Sequence, residues 1–101
     1  MMVEKKFLKS KPICQATFFL PETIEATEAC IVGEFNDWDE GANPLRKTKG
    51  VWKTTLKLDS GKEYQFKYLV NGSEWYNDDQ ADKYVPDGMA GENSVLVAIE
   101  G

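Results

Sequence analysis

Short segments in which apolar and polar residues alternate limit what this chain can fold into. The alternation is clearest in residues 51–58 (VWKTTLKL) and 63–70 (EYQFKYLV). A period of two places successive side chains on opposite faces of a strand, whereas an amphipathic helix needs a period near 3.6. No segment shows a convincing helical period, and turn-forming residues interrupt the chain about every ten residues. The pattern predicts an all-β protein, an antiparallel β-sandwich of the immunoglobulin-like kind.

The length of 101 residues suits one hydrophobic core and is too short for two domains. We expect residues 1–12, which are lysine-rich and unpatterned, to form a flexible N-terminal arm, and residues 13–101 to form the sandwich domain. The basic N-terminal residues do not resemble a signal peptide. No apolar run approaches the roughly 20 residues that cross a bilayer. These features predict a cytoplasmic protein that does not bind a membrane.

The charge balance and the absence of histidine disfavour several functions. The net charge of −5 argues against nucleic acid as a partner, because a duplex selects a basic surface. The chain has no histidine, so it lacks the usual general base and the commonest transition-metal ligand. The acidic runs 37–40 and 77–79 do not have the spacing of an EF-hand calcium loop. We therefore expect no metal site and no cofactor.

Strand parity predicts which side chains form the core. Residues 13–20 and 29–35 form the first two predicted strands, and each contains one cysteine. A small buried thiol is the common state of a cytosolic cysteine, so Cys14 and Cys30 are expected to be reduced core residues. Trp52 alternates with exposed lysines in the third long strand, and this parity places it in the core as well.

Turn signals divide the second half of the chain. Residues 45–49 are long enough for a short edge strand before the next turn. The pair Asn71-Gly72 predicts a tight hairpin, since both residues tolerate a positive φ. Residues 76–93 contain glycine, proline and acidic residues without any period, so they predict one long loop, which in a compact domain is usually functional.

Two tryptophans, Trp38 and Trp75, lie in or just beyond polar turns rather than on an alternating face. An exposed indole forgoes roughly 2 to 3 kcal/mol of burial, so it either folds back onto the sheet or is kept outside for a ligand. Lys67 points away from the core face of its strand, and the hairpin returns Trp75 beside it. If the Trp38 turn lies on the same side, two flat apolar faces flank a cationic donor, an arrangement that suits a sugar chain, which stacks on aromatic rings through its C–H faces.

Three motifs occur in order along the chain: VGEFNDWDEGANPL, KYLVNGSEW and GENSVLV. Together they make residues 15–99 resemble the family-48 carbohydrate-binding modules. This family includes the glycogen-binding domain of the AMP-activated protein kinase β subunit and the N-terminal domains of isoamylases and branching enzymes. The resemblance implies an early-set immunoglobulin-like fold and binding of α-1,4-glucans, as oligosaccharides or as polysaccharides such as glycogen and starch.

The resemblance also implies roles for three residues in the first two motifs. Trp38 and Trp75 match the two tryptophans on which glucose units stack. Lys67 matches the strand lysine that donates hydrogen bonds to sugar hydroxyls. These residues are the ones that we expect to carry most of the binding.

Further site residues are implied in the segment that leads into the last strand. Met89 stands where the kinase-type domains have a leucine that reaches through a ring of glucoses. Asn93 matches the asparagine that precedes the last strand. Gly91 departs from the family, because the kinase-type domains carry a hydroxyl residue there, and so one side-chain hydrogen bond to the sugar is missing.

The sequence predicts a non-catalytic carbohydrate-binding module that recognises α-1,4-glucans. The alternative is a protein-interaction module of the same fold, which docks onto a glycogen-metabolising enzyme or a kinase-like partner through its tryptophans. A third hypothesis, a glycosidase that uses carboxylates such as Glu34, Asp37 or Asp79, is disfavoured. A sandwich of this size offers no deep cleft to hold two carboxylates at a set separation.

Overall fold

The computed structural model describes residues 4–8, 12–79, 81–89 and 91–99. Over these residues the chain forms nine β-strands and one 3-10 helix at Glu34–Asn36. The strands in chain order are β1 (Glu4–Phe7), β2 (Ile13–Phe19), β3 (Ala29–Gly33), β4 (Arg46–Thr48), β5 (Val51–Asp59), β6 (Lys62–Val70), β7 (Glu74–Tyr76), β8 (Lys83–Pro86) and β9 (Glu92–Ala98). The prediction of an all-β fold is confirmed.

The strands form two antiparallel sheets that enclose one core. The first sheet has the order β1-β2-β5-β4, and the second has the order β3-β6-β9-β8 with β7 also paired to β6. Large apolar side chains from both sheets are fully buried between them. They include Phe18, Leu20, Ile31, Phe66, Tyr68 and Leu96. This sandwich confirms the immunoglobulin-like architecture that the alternating strands predicted.

The hairpin between β6 and β7 has the predicted turn. Asn71 and Gly72 have φ values of 52° and 75°, the left-handed conformations that a primed turn requires at its two central positions, and the N–H of Ser73 closes this turn on the Val70 carbonyl at 3.2 Å. The connection is one residue longer than the two predicted, because Val70 pairs with Glu74. The Asn71 side chain also accepts hydrogen bonds from the backbone N–H and the hydroxyl of Thr27, at 2.8 and 2.9 Å. Local turn chemistry and a contact with the loop between β2 and β3 therefore define where β7 begins.

Strand β1 falls inside the segment that was predicted to be a flexible arm. Glu4–Phe7 pair with β2, and the Lys5 ammonium donates to Asp82 at 2.8 Å and to the carbonyl oxygen of Val97 at 3.1 Å. These partners are far away in the sequence, so local patterning could not indicate them. Residues 1–3 and 9–11 of the predicted arm lie outside the described residues.

The prediction of one long loop over residues 76–93 was wrong, because this segment contains β8. The four residues Lys83–Pro86 pair with β9 at the edge of the second sheet. An edge strand this short, ending in proline, has too few alternations to be recognised in a sequence. The predicted edge strand over residues 45–49 is confirmed as β4. Within the described residues the structure has no helix with the length and apolar character needed to span a bilayer.

Two of the predicted core residues lie at the margin of the core. Trp52 packs against the core cluster but is only partly buried, because its neighbour β4 is a short exposed edge strand. Cys30 lies on the outer face of β3 opposite Leu69 and is half-buried, whereas Cys14 is fully buried between the sheets. Both thiols are free, and burial raises the pKa of each.

Candidate functional site

The outer face of the second sheet is interrupted beside Lys67. Strand β9 pairs with β6 as far as Phe66, and β7 pairs with β6 from Tyr68 onward. Strand β3 occupies the opposite edge of β6, so β7 and β9 share one edge and leave a gap at Lys67. After Tyr76 the chain leaves the edge of β6 at this gap, and it rejoins the sheet as β8 on the far side of β9. Lys67 therefore lies where several segments converge.

Strand register places Trp75 and Asn93 on the same face as Lys67. Trp75 pairs with Leu69, which is two residues from Lys67 along β6 and so shares its face. The Trp75 side chain is 47% exposed. Asn93 precedes the core-facing Ser94 and therefore points outward. Its amide nitrogen donates to the side-chain oxygen of Gln65 at 3.0 Å.

The turn after β3 presents Trp38 through a network of hydrogen bonds made by Asn36. The Asn36 side-chain oxygen accepts from the backbone N–H of Gly33 at 3.0 Å. Its side-chain nitrogen donates to the carbonyl oxygen of Ile31 at 3.1 Å and to the side chain of Asn43 at 2.8 Å. The backbone N–H of Trp38 closes the turn on the Gly33 carbonyl at 2.9 Å. Asn36 thus determines where the indole stands.

Core packing and backbone strain accompany this turn. Phe35 packs its ring against Phe18 and Phe66 of the core, with centroids 5.7 and 6.5 Å away. Asp37 and Trp38 then adopt positive φ values of 54° and 59°. A left-handed conformation costs a residue other than glycine roughly 1 to 2 kcal/mol. The turn holds this strain and leaves Trp38 40% exposed.

A second turn, between β8 and β9, carries Met89 and is organised by Asp87. One carboxylate oxygen of Asp87 accepts the backbone N–H groups of Met89 and Gly91, at 2.7 and 3.1 Å. The other oxygen forms an ion pair of 3.0 Å with the Lys67 ammonium. The N–H of Met89, followed by Lys67, lowers the pKa of the Asp87 carboxyl below its ordinary 3.8. Asp87 is therefore ionised at neutral pH.

These segments together line an open groove of about 400 Å³ on the outer face of the sheet. All five residues predicted for the site lie along it, with one addition. The lining residues are Trp38, Lys67, Trp75, Asp87, Met89 and Asn93. Sequence reasoning missed Asp87, because an Asp-Gly pair is an ordinary turn signal and its partner Lys67 lies 20 residues away.

The chemistry of the groove suits an uncharged ligand with both flat and polar surfaces. Two partly exposed indoles provide apolar faces, and the ion pair provides donors and acceptors whose charges compensate each other. A cleft of about 350 Å³ on the same protein is lined by residues such as Glu28, Cys30 and Glu40, and none of its described lining residues is aromatic. Of these two sites, only the groove with Trp38 and Trp75 offers aromatic faces on which a ligand can stack.

A buried polar network supports the segment behind the groove. The Tyr68 hydroxyl donates to the carboxylate of Asp78 at 2.9 Å, and both side chains are fully buried. The backbone N–H of Asp78 donates to the Ser94 hydroxyl at 2.9 Å. Desolvation raises the pKa of Tyr68 well above its ordinary value of 10.0. These bonds anchor the start of the β7–β9 connection to β6 and β9.

Comparisons with known proteins agree with this geometry. The family model described as the glycogen recognition site of AMP-activated protein kinase matches residues 20–99. The 1,4-alpha-glucan branching enzyme GlgB of Aquifex aeolicus (strain VF5) is 32% identical over 72 residues, which are 67% of this chain and 11% of that enzyme. The 1,4-alpha-glucan-branching enzyme of Emericella nidulans is 49% identical over 37 residues, 36% of this chain and 5% of the enzyme. The chain thus spans only a small part of these curated relatives. Because the family model covers most of its length, the chain belongs to the family of glycogen-recognition carbohydrate-binding modules.

Proposed function

We propose that this module binds α-1,4-linked glucans in the groove between Trp38 and Trp75. The observation that carries the proposal is the pair of partly exposed indoles that line one groove with the Lys67 ammonium. The C–H faces of glucose units stack on the indoles, and sugar hydroxyls exchange hydrogen bonds with Lys67 and Asn93. The highly exposed Met89 supplies a further apolar contact at the rim.

The expected affinity is modest. Two stacked indoles and a few exposed hydrogen bonds leave roughly 4 to 6 kcal/mol after the costs of association, a Kd between about tens of micromolar and a millimolar. The ligand is uncharged, and the ion pair in the groove is already compensated. Binding should therefore change little with ionic strength.

We propose that the module acts without catalysis. Hydrolysis of a glycosidic bond ordinarily needs two carboxyl groups on either side of the bond. Asp87 is the one carboxylate among the described residues that line the groove, and it is paired with Lys67. Glu34, considered above as a catalytic candidate, accepts the backbone N–H of Gln65 at 2.7 Å and so serves the fold. We expect no release of reducing sugar from glycogen or maltodextrin.

Calorimetric titration with maltoheptaose and with cellohexaose tests the proposed specificity. The curved α-1,4 chain should bind, and the extended β-1,4 chain should bind at least about tenfold more weakly, a difference of about 1.4 kcal/mol. The variant Trp52→Phe is the matched control, since this third tryptophan packs on the core away from the groove lining. Equal binding of both sugars, or binding of neither, would refute the proposal.

A second candidate function is docking onto a glycogen-metabolising enzyme. The similarity of this chain to limited segments of two branching enzymes favours it. In that case Trp38→Ala and Trp75→Ala would weaken a complex with such an enzyme. Maltoheptaose would have no detectable effect on the unmodified protein. Co-sedimentation with a branching enzyme, with and without maltoheptaose as competitor, separates the two candidates.

We further propose that the protein works in the cytoplasm. The free thiols Cys14 and Cys30 support this location, because reduced cysteines persist in reducing compartments. Fractionation of the source cells with an antibody to the protein would test it, and recovery in a secreted fraction would contradict it.

A further inference from the structure

We propose that Asp87 is a positioning residue of the glucan groove, whose single carboxylate holds both the Met89 turn and the Lys67 ammonium in place for the sugar. The inference rests on the proposed glucan binding and adds to it a residue that acts through its neighbours. It also explains why position 91 is a glycine in this chain.

The first carboxylate oxygen of Asp87 shapes the turn. It accepts the N–H groups of Met89 and Gly91 at 2.7 and 3.1 Å, while the backbone N–H of Asp87 donates to the Gly91 carbonyl at 3.0 Å. Gly88 supplies the left-handed residue of the turn, with φ of +84°. Met89 is 86% exposed, so packing of its own side chain contributes little to its position. The carboxylate holds the turn instead.

The second carboxylate oxygen orders Lys67. The ion pair of 3.0 Å lies in a partly enclosed position, with the two side chains 21% and 15% exposed. A free lysine side chain would lose rotamer entropy on contacting a sugar, and a lysine that is already held loses less. An ammonium group has three donors, so Lys67 can serve Asp87 and still donate to a sugar hydroxyl.

The glycine at position 91 leaves the space that Asp87 needs. A Cβ atom added at Gly91 would lie 2.8 Å from the carboxylate oxygen that pairs with Lys67. Any larger residue at this position would push that oxygen away from the ammonium. The kinase-type domains have a hydroxyl residue at this position, whereas here the Asp87 carboxylate occupies the space beside Gly91.

Three variants test the proposal by calorimetry with maltoheptaose and by amide hydrogen exchange. Asp87→Ala should weaken binding about tenfold, because in this variant the Met89 turn and the Lys67 side chain must both become ordered when the sugar binds. It should also speed exchange at Met89 and Gly91 while amides of β6 keep their protection. Asp87→Asn retains a carbonyl oxygen for the two N–H groups and loses the ion pair. This variant should restore protection and lose only about threefold in affinity.

The third variant, Gly91→Ala, separates positioning from folding. The atom that it displaces is the far end of the Asp87 side chain, so the melting temperature should hardly change. The affinity should nevertheless fall severalfold, roughly as in Asp87→Asn. Gly41→Ala is its control, because the nearest atom to an added Cβ there is 3.6 Å away. Glu63→Gln, which breaks a 2.7 Å ion pair with Lys83 elsewhere on the same sheet, is the control for loss of charge.

The outcomes distinguish this inference from the proposed function. If the unmodified protein binds maltoheptaose and both Asp87→Ala and Gly91→Ala bind it equally well, the positioning role is refuted and the proposed function stands. If the unmodified protein does not bind maltoheptaose, both are refuted. Should Asp87→Ala fail to fold, Asp87→Asn and Gly91→Ala decide, and retention of full affinity in both would overturn the inference.

Discussion

Truncation of the two groove tryptophans should separate binding from stability. Trp38 and Trp75 are 40% and 47% exposed, so each buries a little over half of a side-chain surface that reaches about 250 Å² for an aromatic residue. At ~25 cal/mol per Å², this burial corresponds to at most about 3 to 4 kcal/mol. The actual cost should be smaller, because alanine retains part of the buried contact and the neighbouring surface side chains relax after the truncation. We therefore expect Trp38→Ala and Trp75→Ala each to lower the free energy of unfolding by about 1 to 2 kcal/mol.

The reference for this comparison is Phe66→Ala. Phe66 has no exposed surface and contacts the rings of Phe18, Phe35 and Tyr68. Its truncation should cost about 3 to 5 kcal/mol, a large share of the total stability of a small domain. Urea unfolding followed by far-ultraviolet circular dichroism measures all three variants on one scale.

Binding should show the opposite order. Each groove variant loses a stacking surface, so its affinity for maltoheptaose should fall at least about tenfold, or about 1.4 kcal/mol. Lys67→Ala should weaken binding less, because contact area rather than charge holds a neutral ligand. If Trp38→Ala or Trp75→Ala destabilised the protein as much as Phe66→Ala, or bound maltoheptaose with full affinity, the assignment of these indoles to a binding surface would be wrong.

Three further perturbations probe the framework of the groove. Gly33→Ala places a Cβ atom 2.5 Å from a backbone oxygen of β6 and should cost about 1 to 3 kcal/mol in urea unfolding; unchanged stability would contradict the close approach. Tyr68→Phe removes the hydroxyl that donates to Asp78 and should cost about 1.5 to 3 kcal/mol, and a neutral effect would show that this bond contributes nothing net. The N–H of Met89 and the neighbouring ammonium lower the pKa of Asp87, so its carboxylate interactions are complete above its ordinary 3.8 and are lost as the pH falls through the lowered value. Maltoheptaose affinity should therefore be constant from about pH 5 to 8 and decline only in stronger acid, whereas Asp87→Asn should lack that acid decline.

Local chemistry made much of the fold predictable. The alternation in β6 placed Phe66 and Tyr68 in the core and Lys67 outside it, because successive residues of a strand face opposite ways. The turn at Asn71-Gly72 was equally predictable, since it depends on the conformational freedom of two adjacent residues. Both features depend on neighbours in the chain, and the structure has both.

The family motifs indicated five site residues, and the fold brings all five to one groove; that they bind a glucan remains a prediction.

The features that sequence patterning could not predict depend on distant partners. Strand β1 exists through its pairing with β2 and through contacts of Lys5 with residues near the other end of the chain. Trp52 had the correct parity but is only partly buried, because the short β4 covers little of it.

Asp87 shows most clearly what only the tertiary structure decided. Its sequence neighbours identify an ordinary turn, and nothing local indicates an ion pair with Lys67 on another strand. That pair exists because β7 and β9 share one edge of β6, which leaves a gap at Lys67 where the turn after β8 can reach it. Periodicity and turn propensity are properties of adjacent residues, whereas a groove is defined by side chains that the sheet register brings together.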